Sequence, residues 1–126
     1  MKRRTAREKA LQALFQIDVS DVEPKEAIAH VLEGVRNDDY LLKLVLGVVE
    51  NKEEIDKLLQ QHLENWTLDR LAIVDRNILR LATYELLYCK EDVPTKVAID
   101  EAIEIAKIYG DDQSSRFING ILSKVN

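Results

Sequence analysis

Apolar residues recur every three to four positions along most of the chain, and the polar residues between them fall on the opposite faces of the helices this spacing predicts. The first helix runs to about Val19, with Ala6, Ala10, Leu14 and Ile17 on its apolar side and Leu11 and Phe15 beside them. Asp18 to Pro24 is a polar connection, and Pro24 stands where the first turn of a second helix tolerates it. That helix turns Ala27, Ile28, Val31 and Leu32 inward and stops at Gly34. Asn37 or Asp38 caps a third helix built on Tyr40, Leu41, Leu44, Val45, Val48 and Val49. Asn51, followed three residues later by Glu54, predicts a capping box that opens a fourth from Glu53 to Leu63, with Ile55, Leu58, Leu59 and His62 on one side.

Glu64-Asn65-Trp66-Thr67 reads as a hinge, with Thr67 capping the longest helix, from about Leu68 to Tyr88. Leu71, Val74, Ile78, Leu81, Ala82 and Leu86 follow the helical period, and the extra apolar Ile73, Leu79 and Tyr84 imply contacts on several sides, as in a central core helix. Val93 precedes Pro94 and is pushed away from helical geometry, so residues 90–94 form a loop. Thr95 then caps a helix from Lys96 to Tyr109, with Val97, Ala98, Ala102, Ile105 and Ala106 inward and Gly110 as its stop. The last helix opens near Asp111 to Ser114 and carries Phe117, Ile118, Ile121, Leu122 and Val125. About seven helices and no sheet are expected, packed as two small stacked bundles that share the long helix: an N-terminal subdomain over about 1–64 and a C-terminal one over about 65–126.

Charge changes this picture at one place. Residues 1–9 hold Lys2, Arg3, Arg4, Arg7 and Lys9 against Glu8 alone, a local balance of +4 on a chain whose net charge is −5. A basic segment on an acidic body is an electrostatic address for a polyanion. Its cations lie mostly off the apolar stripe, so the helix is anchored by one side and presents them without the entropy loss of a disordered tail. Cations at a helix N-terminus also oppose the macrodipole, which a sequence selected for stability alone would avoid.

Other chemistry is thin. One cysteine, Cys89, leaves no internal disulfide and fits a reducing compartment, and His30 and His62 do not stand at metal-ligand spacing from it or from each other. Asp100, Glu101 and Glu104 are favoured by the helix dipole and read as a solvated face, and the four glycines are too scattered for a phosphate-cradling loop. Enzyme activity and a cofactor are not expected. No apolar run approaches a membrane span or a signal peptide, so a cytoplasmic protein is expected. Near the C-terminus, Arg116-Phe117-Ile118-Asn119-Gly120 sets a cation, an aromatic ring and a small residue together. Phe117 is either core or, at the rim beside the first helix, a stacking surface for an unpaired base, with Gly120 permitting a close helix crossing.

Three blocks in order carry a resemblance over the whole chain: Arg4-Thr5-Ala6-Arg7-Glu8-Lys9-Ala10-Leu11-Gln12-Ala13-Leu14-Phe15, residues 93–107 beginning Val93-Pro94-Thr95-Lys96-Val97-Ala98, and Arg116-Phe117-Ile118-Asn119-Gly120-Ile121-Leu122. They resemble bacterial antitermination factors of the NusB type. The resemblance implies an all-helical protein that binds the boxA element of ribosomal RNA leader transcripts with the small-subunit ribosomal protein in the NusE role. It also implies a place in the complex on RNA polymerase that suppresses premature termination. Since the family includes monomers and homodimers, it leaves a homodimer open. By position, the family's arginine-rich start falls on Arg3, Arg4 and Arg7, its RNA-facing aromatic falls on Phe117, and Phe15 matches a tyrosine of some members. The RNA-binding set is therefore expected to be Lys2, Arg3, Arg4, Arg7, Phe15, Lys107, Arg116 and Phe117, and the protein partner is expected on exposed sides of the long helix near Glu85. The competing readings are a NusB-like recognition domain of a ribosomal RNA methyltransferase and a helical scaffold that binds only protein.

Overall fold

The computed structural model describes residues 1–125. Seven α-helices and no strand are found among them: α1 (Arg3–Ser20), α2 (Pro24–Leu32), α3 (Asp39–Glu50), α4 (Lys52–Gln61), α5 (Ile73–Tyr88), α6 (Thr95–Tyr109) and α7 (Ser114–Val125). None is long and apolar enough to cross a membrane. Helix α5 is the axis, packed against α1, α3, α4, α6 and α7, while α1 also gathers α2 and α3, and α6 pairs with α7. Every residue of α5 from Asn77 to Leu86 is buried, which is why its apolar positions overflow a single stripe. On α1 the small side chains of Ala6, Ala10 and Ala13 let neighbouring helices approach closely, with Leu11 and Leu14 filling the space between.

Asp38 caps α3 through Oδ1, which accepts the Leu41 N–H at 3.0 Å, and its other oxygen meets the chain's amino terminus at 3.3 Å. Helix α2 ends at Leu32, two residues before the expected glycine, and is followed by a left-handed pair formed by Glu33 and Gly34.

Three local expectations fail for identifiable reasons. Asn51 does not form a box with Glu54. Its amide donates to the Gly47 carbonyl at 2.8 Å, so the side chain is spent on the end of α3, and only the Asn51 backbone carbonyl, accepting the Ile55 N–H at 2.9 Å, opens α4. Thr67 makes no side-chain cap, and the long helix does not begin there. The Leu68 N–H is taken by the Gln60 side chain, a single 3₁₀ turn spans Leu68–Arg70, and Leu71 and Ala72 are extended before α5 starts at Ile73. That detour buries Leu68, a gain an uninterrupted helix would forgo. Thr95 is the first residue of α6 and Pro94 its cap, while Val97 faces solvent instead of the core.

The polar side chains on the axis form a second, ionic layer. Arg76 grips Asp18 with two bonds of 2.8 Å, Arg80 reaches Asp18 at 3.1 Å and Asp56 at 2.8 Å, and Asn77 donates to Asp18 at 2.9 Å. One carboxylate thereby ties the end of α1 to α5, and a second ties α4. The Arg76 hydrogen bond, helped by Asn77 and Arg80, holds the Asp18 carboxyl down to about 2. Among the described residues, Asp75 Oδ1 and Thr83 Oγ1 are the buried side-chain oxygens without a partner.

Candidate nucleic-acid interface

Four of the expected cations lie at the start of α1, and the structure divides them. Lys2 is exposed with no carboxylate partner among the described residues, and the Arg3 guanidinium stands 4.1 Å above the Tyr40 ring centroid, its charge open to solvent. Arg4 is exposed but paired, with Nη2 at 2.5 Å and Nε at 3.1 Å from the two oxygens of Glu101. That pairing holds the Glu101 carboxyl below the usual carboxylate range.

Arg7 is not on the surface. It is 4% exposed and donates from Nε and Nη2 to the Glu85 carboxylate, both at 2.9 Å, while Nη1 reaches Glu101 at 3.3 Å. Burial pulls the Arg7 pKa down, but the hydrogen bonds and charge of Glu85 outweigh it, and the net shift is upward. Glu85 is 1% exposed and also accepts from the Tyr40 hydroxyl, which burial and that carboxylate drive well above the usual phenol range. The expectation of Arg7 on a phosphate and of Glu85 on a protein partner is therefore corrected. Both groups are consumed by each other in a fork-to-fork pair that closes α1 onto α5. A helical period locates a residue on a face. It does not say that two faces carrying opposite charges meet.

The other members fall at three separate places. Lys107 is exposed on α6 and sits 3.7 Å from Glu104, so its charge is partly answered. Phe15, 38% exposed, lines a groove of about 310 Å³ with Leu11, Gln12, Gln16, Val74 and Tyr109. Arg116 and Phe117 lie in another cleft of about 310 Å³, formed not with α1 but with the segment after α4, where His62, Asn65 and Trp66 face α7. Phe117 is half-buried, its inner edge against the core and its outer edge on this cleft, so neither pure alternative holds. Gly120 serves no close crossing: a β-carbon there would meet nothing within 4 Å.

Two residues that matter here were missed by pattern reading. Glu101 looked like a solvated carboxylate and is the counter-ion of Arg4. Trp66 was read only as part of a hinge and is the most exposed aromatic ring in the cleft. A tryptophan in a polar connection, away from any apolar period, was the available signal for the second.

An acidic all-α body with a helix-borne basic start and a separate aromatic and basic cleft has the make-up of a small helical adaptor that meets polyanions. The family model described as the NusB family matches residues 4–126, and the chain belongs to that family. It is 59% identical over 125 residues to the transcription antitermination protein NusB of Bacillus licheniformis, covering 99% of this chain and 96% of that one. It is 56% identical over 125 residues to the Bacillus subtilis protein of the same name, covering 99% and 95%. Among solved structures, T. maritima NusB superimposes with a TM-score of 0.92 at 42% identity, over 99% of this chain and 90% of that one. A crystal structure of antitermination factors NusB and NusE in complex with dsRNA superimposes with a TM-score of 0.88 at 34% identity, over 98% and 94%.

Proposed function

We propose that this chain is a non-catalytic, cytoplasmic transcription antitermination factor. It binds boxA RNA of ribosomal leader transcripts together with the ribosomal protein in the NusE role, and helps RNA polymerase pass premature termination signals. The observation that carries the reading is the near full-length match to antitermination proteins at 59% identity, joined to an exposed pair of cations without carboxylate partners among the described residues, Lys2 and Arg3, on an acidic molecule. Those cations attract the RNA backbone, while sequence is read elsewhere by contacts to bases.

The protein partner, displaced from Glu85 by that residue's burial, is assigned to the groove around Phe15 and Tyr109. Both rings are exposed there, beside Leu11 and Val74, which makes the groove an apolar surface open to a partner. Phe15 thus moves from the RNA set to the protein-facing set.

The test is RNA binding by a Lys2→Gln, Arg3→Gln double variant against a boxA-like single strand across a salt series. About 0.7 in log-log slope is expected per phosphate on a single strand, so losing two contacts should flatten the slope by about 1.4 and weaken binding to all sequences alike. An unchanged slope removes these residues from the phosphate path. The opposite change is expected at Glu101. Since Arg4 must leave that carboxylate to meet a phosphate, Glu101→Gln should tighten RNA binding by about two- to five-fold and steepen the slope by up to about 0.7. Equal affinity in the variant would show that Arg4 stays outside the RNA path.

A further inference from the structure

Arg3, Arg4 and Arg7 leave the same start of α1, and their guanidinium groups meet different kinds of neighbour. Arg4 is answered by Glu101 and Arg7 by Glu85, so both carry their charge into an ion pair. Arg3 meets no carboxylate among the described residues, and its guanidinium carbon lies 4.1 Å from the centroid of the Tyr40 ring on α3. A carboxylate fixes an arginine and neutralises it. The face of a neutral ring attracts the cation through its quadrupole and leaves the full charge in place. Arg3 is exposed, so that charge remains open to solvent on the side away from the ring.

The ring is itself fixed. Tyr40 is half-buried near the start of α3, and its hydroxyl donates to the Glu85 carboxylate, which is buried and gripped by Arg7. Burial and that carboxylate push the phenol well up, so it remains a neutral donor. The Arg7 guanidinium carbon lies 5.8 Å from the same ring. The buried pair that closes α1 onto α5 therefore also aims the Tyr40 ring at the first turn of α1. An arginine without such a support has several rotatable bonds to freeze when it meets a phosphate, and that entropy loss weakens the contact.

We propose that Tyr40 is the positioning residue for Arg3: its ring holds the guanidinium in place, charged and unpaired, so that the side chain is ordered before RNA arrives. Tyr40 acts through Arg3 and touches no RNA in this role. The proposal rests on the RNA-binding reading and adds to it the residue that keeps one arginine of the basic start available while Arg4 and Arg7 are paired.

The full chain is titrated with a boxA-like single strand in a double-mutant cycle of Tyr40→Leu and Arg3→Gln. Tyr40→Leu should weaken binding by about 2- to 10-fold, the cost of ordering one long side chain, and leave the salt slope unchanged because no cation is removed. In the Arg3→Gln background the same change should have no further effect. Tyr40→Phe, which keeps the ring, should recover most of the loss. Proton NMR of the RNA-free wild-type chain gives a second readout: the side-chain protons of Arg3 should be shifted upfield by the ring current of Tyr40. Should Tyr40→Leu not fold, those shifts decide by themselves. Wild-type affinity in Tyr40→Leu, an equal loss in both backgrounds, or ordinary Arg3 side-chain shifts in the wild-type chain each overturns the positioning role and leaves the RNA-binding reading intact. A wild-type chain that binds no RNA at low salt overturns both.

Discussion

Replacing Arg7 by Ala is expected to lower the melting temperature by roughly 10–20 °C, or to leave the chain unfolded at growth temperature, before any effect on RNA can be read. The substitution deletes a guanidinium that makes a two-bonded grip on a carboxylate 1% exposed to solvent, and Glu85 is then left charged inside the protein with only the Tyr40 hydroxyl and no cation. Breaking a buried pair from one side costs about 3–5 kcal/mol, and a domain of this size loses a few degrees for each kcal/mol. Arg7→Lys should rescue little, because an ammonium cannot match both carboxylate oxygens in the plane of a fork. Removing both charges is the decisive comparison. Arg7→Met with Glu85→Met should be far milder than either change alone, since an apolar pair leaves no orphaned charge. Thermal melts of the two single variants and the double variant check this. A small effect of Arg7→Ala on melting together with a flatter salt slope in RNA binding would return Arg7 to the phosphate path.

The second large effect is expected at Gly47. It lies on α3 against the Tyr84 ring, and a β-carbon built there would stand 2.2 to 2.4 Å from three atoms of that ring. Tyr84 has little freedom to retreat, being mostly buried and stacked on Tyr88 with ring centroids 5.2 Å apart. Gly47→Val should therefore separate α3 from α5 and destabilise the fold by about 1–3 kcal/mol. Gly47→Ala should follow in the same direction to a smaller degree. A Tyr84→Ala background should reduce the penalty, because the colliding ring is then absent. Urea unfolding of the single and double variants reads the coupling, and an undiminished penalty in the Tyr84→Ala background would place the strain elsewhere.

The contrast between these residues and the surface cations shows where pattern reading succeeds. The helices, their order and the central rank of α5 were legible because burial imposes a 3.6-residue period on side chains that are neighbours along the chain. Lys2 and Arg3 were legible as free charges because they precede the apolar period. Arg4 and Arg7 were not separable from them. All four read as basic positions of one helix start, and what distinguishes them is a carboxylate 78 residues away for Arg7 and one 97 residues away for Arg4. Caps failed in the same manner at Asn51 and Thr67, where side chains compatible with a capping role found competing backbone partners or none. The helical period leaves Phe117 between core and surface, and it is both, since a ring has two edges and the period assigns only one direction.

From its sequence alone this protein was determined to be all-helical, acidic with a basic start, and a member of the NusB type through three blocks of residues, because local periodicity and motif order are properties of neighbours in the chain. Only the tertiary structure decided which charges remain available, that Glu85 is a buried counter-ion instead of a docking residue, and that Phe117 faces Trp66 across a cleft away from α1. Electrostatic pairing and cleft formation depend on groups distant in sequence meeting in space, and in the low-dielectric interior that meeting outweighs any preference written into either segment by itself.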